Sequence, residues 1–308
     1  MIELKYLTKE YGDKRVVDQL NLTLQRGVIT GFLGPNGAGK STSMKMMISL
    51  VHPTTGRVLI EGEEYQNLKE PLKKIGALID PSALDENLTA RQHLSFIATA
   101  AGIDLSRVDE MISMAGLEEV KNKKIKSFSL GMKQRLGIGT ALISDPDTII
   151  LDEPFNGLDV DGIRWLRKIF RDFADQGKAV IVSSHLMSEI QAIADRIVII
   201  GQGKLLADMT IDEMHAKSLS SYVYVEANDL NKLRKSLEHN HAIVQIDKNG
   251  LQIRVLKAKE IGEIAYKENV ILYALTEVNP SLEDIFTEIT EGTEEYISTG
   301  GQTNDAFD

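Results

Sequence analysis

Gly34-Pro35-Asn36-Gly37-Ala38-Gly39-Lys40-Ser41 decides how the rest of the chain is read. The residues before it, Val28 to Leu33, have the pattern of a strand, and those after it, Ser41 to Val51, carry helix formers with an apolar face of Met44, Met47 and Ile48. A glycine-rich turn that joins a strand to a helix and ends in Gly-Lys-Ser is a phosphate-loop pattern. The glycines allow a loop tight enough for backbone N–H groups to converge on phosphate oxygens, and the helix start adds a partial positive field. In such a loop Lys40 bridges the β- and γ-phosphates of a nucleotide and Ser41 offers a hydroxyl to Mg²⁺. Gly34, Pro35, Asn36, Gly37, Ala38, Gly39, Lys40, Ser41 and Thr42 are therefore the first nucleotide-binding candidates.

Working outward, Ile149-Ile150-Leu151-Asp152-Glu153 is an apolar strand that ends in two acids. With a phosphate loop upstream, Asp152 is placed to hold Mg²⁺, directly or through water, and Glu153 to polarise a water attacking the γ-phosphate. The alternation of strand and helix continues through 148–200, with strands at Thr148–Leu151, Ala179–Ser183 and Arg196–Ile200 and helices at Gly162–Gln176 and Met187–Ala194. That rhythm predicts a parallel sheet covered on both faces. Leu88 to Leu117 reads as an α-helical insertion broken at Gly102. Beyond about Asp212 the pattern changes to β-α-β-β-α-β, with a hairpin turn at Lys248-Asn249-Gly250, the order of a ferredoxin-like sandwich. The expected fold class is α/β, a P-loop NTPase with a mainly parallel sheet and a helical insertion, plus a small α+β annex. The expected boundaries are 1–214 for the nucleotide-binding domain, 215–290 for the annex and 291–308 for an acidic, disordered tail.

Composition closes off other classes. The 308 residues carry no cysteine, which excludes disulfide scaffolds, thiolate metal sites and cysteine nucleophiles. No apolar run approaches the roughly 18 to 20 residues of a transmembrane helix, and no signal peptide is readable at Met1-Ile2-Glu3-Leu4-Lys5. The net charge is −10, but eight of the acids fall between Ser281 and Asp308 with no Lys or Arg among them, so the body is near neutral. Neither part has the basic surface of a nucleic-acid binder.

Ser127-Phe128-Ser129-Leu130-Gly131-Met132-Lys133-Gln134-Arg135, just before the acidic strand, resembles the signature segment of the ATP-binding cassette (ABC) family. Its Ser-Leu-Gly-Met-Lys departs from the commonest Ser-Gly-Gly-Gln form, and Gln134-Arg135-Leu136 restores the usual continuation. Ser129 is also a good helix N-cap, which is compatible with that role. Asn156-Gly157-Leu158-Asp159 resembles the family's loop that touches the opposite subunit near its nucleotide, and Ser183-Ser184-His185 the strand end with the switch histidine that contacts the γ-phosphate. Tyr11, 29 residues before Lys40, falls in a loop where the family places an aromatic ring against adenine. The resemblance covers residues 2 to 212.

It implies an ATP-hydrolysing nucleotide-binding subunit of a bacterial transporter, using ATP and Mg²⁺. Its partners are a separately encoded integral membrane permease and a second copy of the cassette, whose Ser129, Gly131 and Asp159 close over the first copy's nucleotide; no nucleic acid is implied. The expected place is the cytoplasmic face of the membrane, peripherally bound. Lys40, Glu153 and His185 are the implied catalytic set, and Ser41, Asp80 and Asp152 the metal set. Asp80 occupies the position of the family's usual glutamine, in Ile75-Gly76-Ala77-Leu78-Ile79-Asp80-Pro81. A carboxylate there, the variant signature and the annex resemble the branch that exports, or confers immunity to, peptide antibiotics such as bacitracin and lantibiotics. An Asp followed by Pro81 and Ser82 equally starts a turn. The competing reading is a soluble cassette ATPase remodelling ribosomes or DNA, disfavoured by the single phosphate loop, the lack of heptads and the acidic charge. A GTPase fails for want of an Asn-Lys-x-Asp motif after the acidic strand.

Overall fold

The computed structural model describes residues 1–217, 221–278 and 281–291. They form two units, one over Met1–Thr210 together with the described residues from Phe286 onward, and one over Ile211–Ile285. The expected tail lies outside the described residues apart from Glu291.

In chain order the first unit contains β1 (Ile2–Tyr11), β2 (Lys14–Leu24), β3 (Ile29–Leu33), α1 (Lys40–Met47), β4 (Thr55–Ile60), α2 (Pro71–Lys74), β5 (Ile75–Leu78), α3 (Ala90–Ala100), α4 (Ser106–Met114), α5 (Leu130–Leu142), β6 (Thr148–Leu151), α6 (Val160–Asp175), β7 (Ala179–Val182), α7 (Met187–Gln191), β8 (Arg196–Gly201) and β9 (Lys204–Thr210). A six-stranded sheet has the order β5-β6-β7-β3-β8-β9, parallel except for β9, which runs antiparallel to β8. Strands β3, β6 and β7 are buried at every position, which is why their sequences are mainly apolar rather than alternating, with Thr30 and Thr148 as buried polar exceptions. A second, antiparallel sheet has the order β2-β1-β4.

A core cluster joins residues of both sheets to α1, with Leu4, Leu22, Phe32, Met44, Met47, Ile181 and Val198 among its members. Met44, Met46 and Met47 are all buried, and each such side chain contributes on the order of 1.5–3 kcal/mol by leaving water. This packing anchors the helix that follows the phosphate loop. The helical insertion begins at a capping box, in which Thr89 Oγ1 accepts from Gln92 N–H and Gln92 Oε1 accepts from Thr89 N–H. Gly102, at φ 64°, breaks it where expected.

Several local expectations are corrected. The first strand continues to Tyr11, through irregular pairing with β2, so Tyr11 stands at a strand end instead of in a loop. The α1 helix stops at Met47, because Ser49 takes a left-handed φ of 59°, and α7 ends at Gln191. The antiparallel β9 had no clear signal, since its exposed Lys204, Leu205 and Leu206 do not alternate.

The second unit contains α8 (Ile211–Lys217), β10 (Tyr222–Ala227), α9 (Leu230–His239), β11 (Ile243–Ile246), β12 (Leu251–Arg254), α10 (Ala258–Lys267) and β13 (Leu272–Val278); α11 (Leu282–Thr290) follows. Its fully antiparallel sheet has the order β11-β12-β10-β13. This is the ferredoxin-like arrangement that the sequence order predicts. Val223, Val225, Leu251 and Ile253 form its core with Leu233 and Leu237 of α9 and Ile261 and Ala265 of α10.

In the first unit, α5 lies flush against β5. A Cβ on Gly76 would stand 1.8 Å from Ala141 O, and one on Gly137 would stand 2.7 Å from the Leu78 side chain. Gly76→Ala should therefore push α5 off the sheet and destabilise the first unit by about 1–3 kcal/mol, the usual cost of overpacking. A lowered chemical-denaturation midpoint checks this, and an unchanged midpoint contradicts it.

Candidate nucleotide-binding and hydrolysis site

Three neighbouring parallel strands, in the spatial order β6-β7-β3, end at one edge of the sheet, where open α/β folds bind ligands. From β3 comes the loop Gly34–Gly39 and the start of α1. From β6 come Asp152 and Glu153, and from β7 come Ser183, Ser184 and His185. A cavity of about 280 Å³ opens there, lined by Val16, by Asn36 through Thr42, and by Asp152 and Glu153. A neighbouring one of about 190 Å³ shares Val16, Asn36, Gly37 and Ala38 and adds Lys14, Arg15 and Gln202.

The loop can be made only with glycine at its tight points. Gly39 has φ 97°, and a Cβ there would stand 2.6 Å from Val16 O; a Cβ on Gly34 would stand 2.4 Å from Ile200 O. Lys40 Nζ donates to the carbonyl oxygens of Gly34 and Pro35, the latter at 3.1 Å, so the ammonium is folded back into the loop's own curve. Burial pushes Lys40 below its ordinary pKa, while the charges of Glu153 and Asp152 push it back up. The cradle of backbone N–H groups with a partly desolvated ammonium fits a triphosphate.

The acids are held by their neighbours. Asp152 is buried and accepts a hydrogen bond from Ser183 Oγ. The same hydroxyl oxygen accepts from Glu153 N–H at 2.9 Å, so one serine bonds to both acidic residues. Glu153 takes a left-handed φ of 49°, costly for a residue with a Cβ and frequent at functional sites. Its carboxylate lies 2.8 Å from His185 Nδ1 and accepts from His185 N–H at 3.2 Å. Ser41 and Asp152 line one cavity, and a hydroxyl and a carboxylate are hard oxygen donors that fit Mg²⁺, which uses one or two carboxylates together with substrate phosphates.

The remaining sequence candidates fall elsewhere. Ser129 accepts from Met132 N–H at 3.2 Å and caps α5, and Asp159 accepts from Gly162 N–H at 2.7 Å and caps α6. Between these caps, a Cβ on Gly131 would stand 2.5 Å from Gly157 O, and Arg135 lies 3.9 Å from the Asp159 carboxylate. Ser129, Gly131 and Asp159 thus belong to one packed patch, and glycine at 131 is demanded by this chain's own backbone. Asp80 does not line the phosphate cavity. Its carboxylate accepts from Ser82 N–H at 2.8 Å, capping the short turn Pro81–Ala83, and the hydrogen bonds to Ser82 hold it below the ordinary carboxylate pKa. Tyr11 lines neither cavity; its half-exposed ring has the Lys9 ammonium 4.9 Å from the centroid. Sequence reasoning gave Ser183 no task of its own, although a hydroxyl two residues before His185 at a strand end was the available signal.

Known proteins resemble this chain in sequence and in fold. The ABC transporter family matches residues 17–156. The bacitracin transport ATP-binding protein BcrA of Bacillus licheniformis is 36% identical over 301 residues, spanning 95% of this chain and 98% of its own. The lantibiotic transport ATP-binding protein SrtF of Streptococcus pyogenes is 39% identical over 212 residues, 69% of this chain and 92% of its own. Among solved structures, an ATP-binding subunit of an ABC transporter has a TM-score of 0.65 at 28% identity, covering 70% of this chain and 92% of that one. A dimeric ATP-binding cassette in a post-hydrolysis state with ADP and Pi has a TM-score of 0.61 at 26% identity, covering 68% of this chain and 99% of that one. By its phosphate loop, its acidic strand end and these likenesses, the chain belongs to the ATP-binding subunits of ABC transporters.

Proposed function

We propose that this subunit hydrolyses ATP with Glu153 as the general base and thereby powers export of a peptide antibiotic through its permease partner. The observation that supports the chemistry is the left-handed Glu153, which lines the Lys40 cavity and whose carboxylate rests against His185. Lys40 neutralises the β- and γ-phosphates, and the N–H groups of the loop orient them. Glu153 accepts the proton of the attacking water. His185 contacts the γ-phosphate and steadies the Glu153 carboxylate. Ser41 and Asp152 hold Mg²⁺, which when bound supplies positive charge to the phosphate oxygens. Asp80 is assigned no step, since its carboxylate serves the turn. Tyr11 stacks on adenine from its place at the end of β1.

Ser129, Gly131 and Asp159 act on the nucleotide of a second copy, in a two-fold arrangement that buries two ATP molecules at one interface. ATP favours the closed pair and hydrolysis releases it, which supplies the differential affinity that drives an attached permease. The 1–214 cassette carries this cycle, and the 215–290 annex is an accessory to it. Support for the cargo class comes from BcrA, whose likeness runs through the annex as well as the cassette, spanning 98% of that protein. The same likenesses favour transport over remodelling of ribosomes or DNA.

Glu153→Gln should retain ATP binding, accumulate an ATP-bound dimer and lose at least about a hundredfold in turnover. Size-exclusion chromatography with ATP and a phosphate-release assay check this, and near-normal turnover would remove Glu153 from the role. Reconstituted with its permease, the wild-type subunit should show ATPase activity stimulated by bacitracin or a lantibiotic. Stimulation by neither peptide, in a complex that does respond to an unrelated solute, would contradict the cargo class.

A further inference from the structure

Among the described residues, three buried side-chain polar atoms have no hydrogen-bond partner: Ser43 Oγ, His93 Nε2 and Gln134 Oε1. Ser43 and Gln134 are both completely buried within helices, and Gln134 is the longer side chain, an amide with a donor as well as the orphaned acceptor. A methionine of similar length would fill that space without an orphaned acceptor. What the amide alone supplies is a donor, and Nε2 gives it to the carbonyl oxygen of Glu153 at 3.3 Å.

That carbonyl belongs to the strained residue of the site. Glu153 is fixed from both sides: its N–H donates to Ser183 Oγ at 2.9 Å, and its C=O accepts from Gln134 Nε2 and from Asn156 N–H, the latter at 3.2 Å. A left-handed residue persists only where its surroundings over-determine it. The Asn156 bond is local to the turn, whereas Ser183 and Gln134 reach in from β7 and α5. Gly131 and Gln134, three positions apart on one face of α5, meet the same loop at its two ends. A Cβ on Gly131 would stand 2.5 Å from Gly157 O, while Gln134 bonds to Glu153 O.

We infer that Gln134 is a positioning residue for ATP hydrolysis: through its hydrogen bond to the Glu153 carbonyl it ties α5 to the left-handed peptide that aims the Glu153 carboxylate. The inference rests on the assignment of Glu153 as general base. It has a consequence for communication between subunits. The first turn of α5 carries Ser129 and Gly131, assigned above to the second copy's nucleotide, and the next turn carries Gln134. A shift of α5 at the dimer interface therefore reaches this chain's own Glu153 without passing through the phosphate loop.

The test compares Gln134→Met, Glu153→Gln and the double variant in the full chain, measuring kcat and KM for MgATP and the thermal midpoint. For Gln134→Met we expect kcat to fall about tenfold to a hundredfold, the scale of a small misplacement of a reacting group. KM should stay within about twofold, because the phosphate loop is untouched, and the thermal midpoint should hold or rise as the orphaned acceptor disappears. In the Glu153→Gln background the same substitution should cost no further activity. A wild-type kcat in Gln134→Met would overturn the inference. So would a loss that comes with a lower midpoint and a shifted KM, or one that multiplies with the loss in Glu153→Gln. Wild-type turnover in Glu153→Gln alone is a separate result, which would take down the base assignment and this inference with it.

Discussion

The registers Leu151↔Val182 and Gly31↔Val182 align β6, β7 and β3 so that three parallel strands deliver their carboxyl ends to one edge. Each strand then contributes one part of the site: phosphate loop, acids, and the serine–histidine pair. Because all three are buried along their length, none can slip without exposing apolar residues, and a one-residue slip would also turn side chains to the wrong face. The position of Asp152 relative to Lys40 is thus set by the core, and the loops add only local shape. Ser183 makes this concrete, since its hydroxyl bonds to Asp152 and to the Glu153 N–H and so locks the end of β6 to the end of β7.

Close backbone approach is the second constraint. Glycines at 76, 131 and 137 let α5 lie against β5 on one flank and against the loop that follows Glu153 on the other. The helix that carries the signature segment is therefore seated on β5 and on the loop after Glu153, backbone against backbone at Gly76 and Gly131 and against the Leu78 side chain at Gly137. Such contacts transmit small displacements because packed interiors have low compressibility. In the two-cassette cycle proposed above, this lets binding at one surface alter geometry at another.

Some of this was legible in the sequence and some was not. The phosphate loop was legible because its constraint is local: tight glycines between a strand and a helix leave few alternatives. The parallel sheet showed in the apolar runs at 149–151 and 179–182, and the annex in its strand–helix order. Tyr11 was misplaced because the long β1 hairpin is irregular, which weakens the alternation that marks a strand. Asp80 shows the limit of motif reasoning, since the Asp-Pro-Ser that can resemble a metal position also forms the turn seen here. For Gly131 the motif offers the contact with a second copy's nucleotide, but the close approach to Gly157 O, 26 positions away, has no short signal. Ser183 and Gln134 were given no task because their bonds to Glu153 join residues 30 and 19 positions apart, which no short motif encodes.

The strand ends, locked together by Ser183, place the acids for chemistry. The direct measurement is the single-turnover rate of ATP hydrolysis by Ser183→Ala, alongside its thermal midpoint and ATP affinity. Losing a buried partner of two acidic residues should slow hydrolysis by roughly tenfold or more, given the 1–3 kcal/mol typical of such a loss, while the protein still folds and binds ATP. A Ser183→Ala variant that hydrolyses ATP at the wild-type rate would contradict this placement.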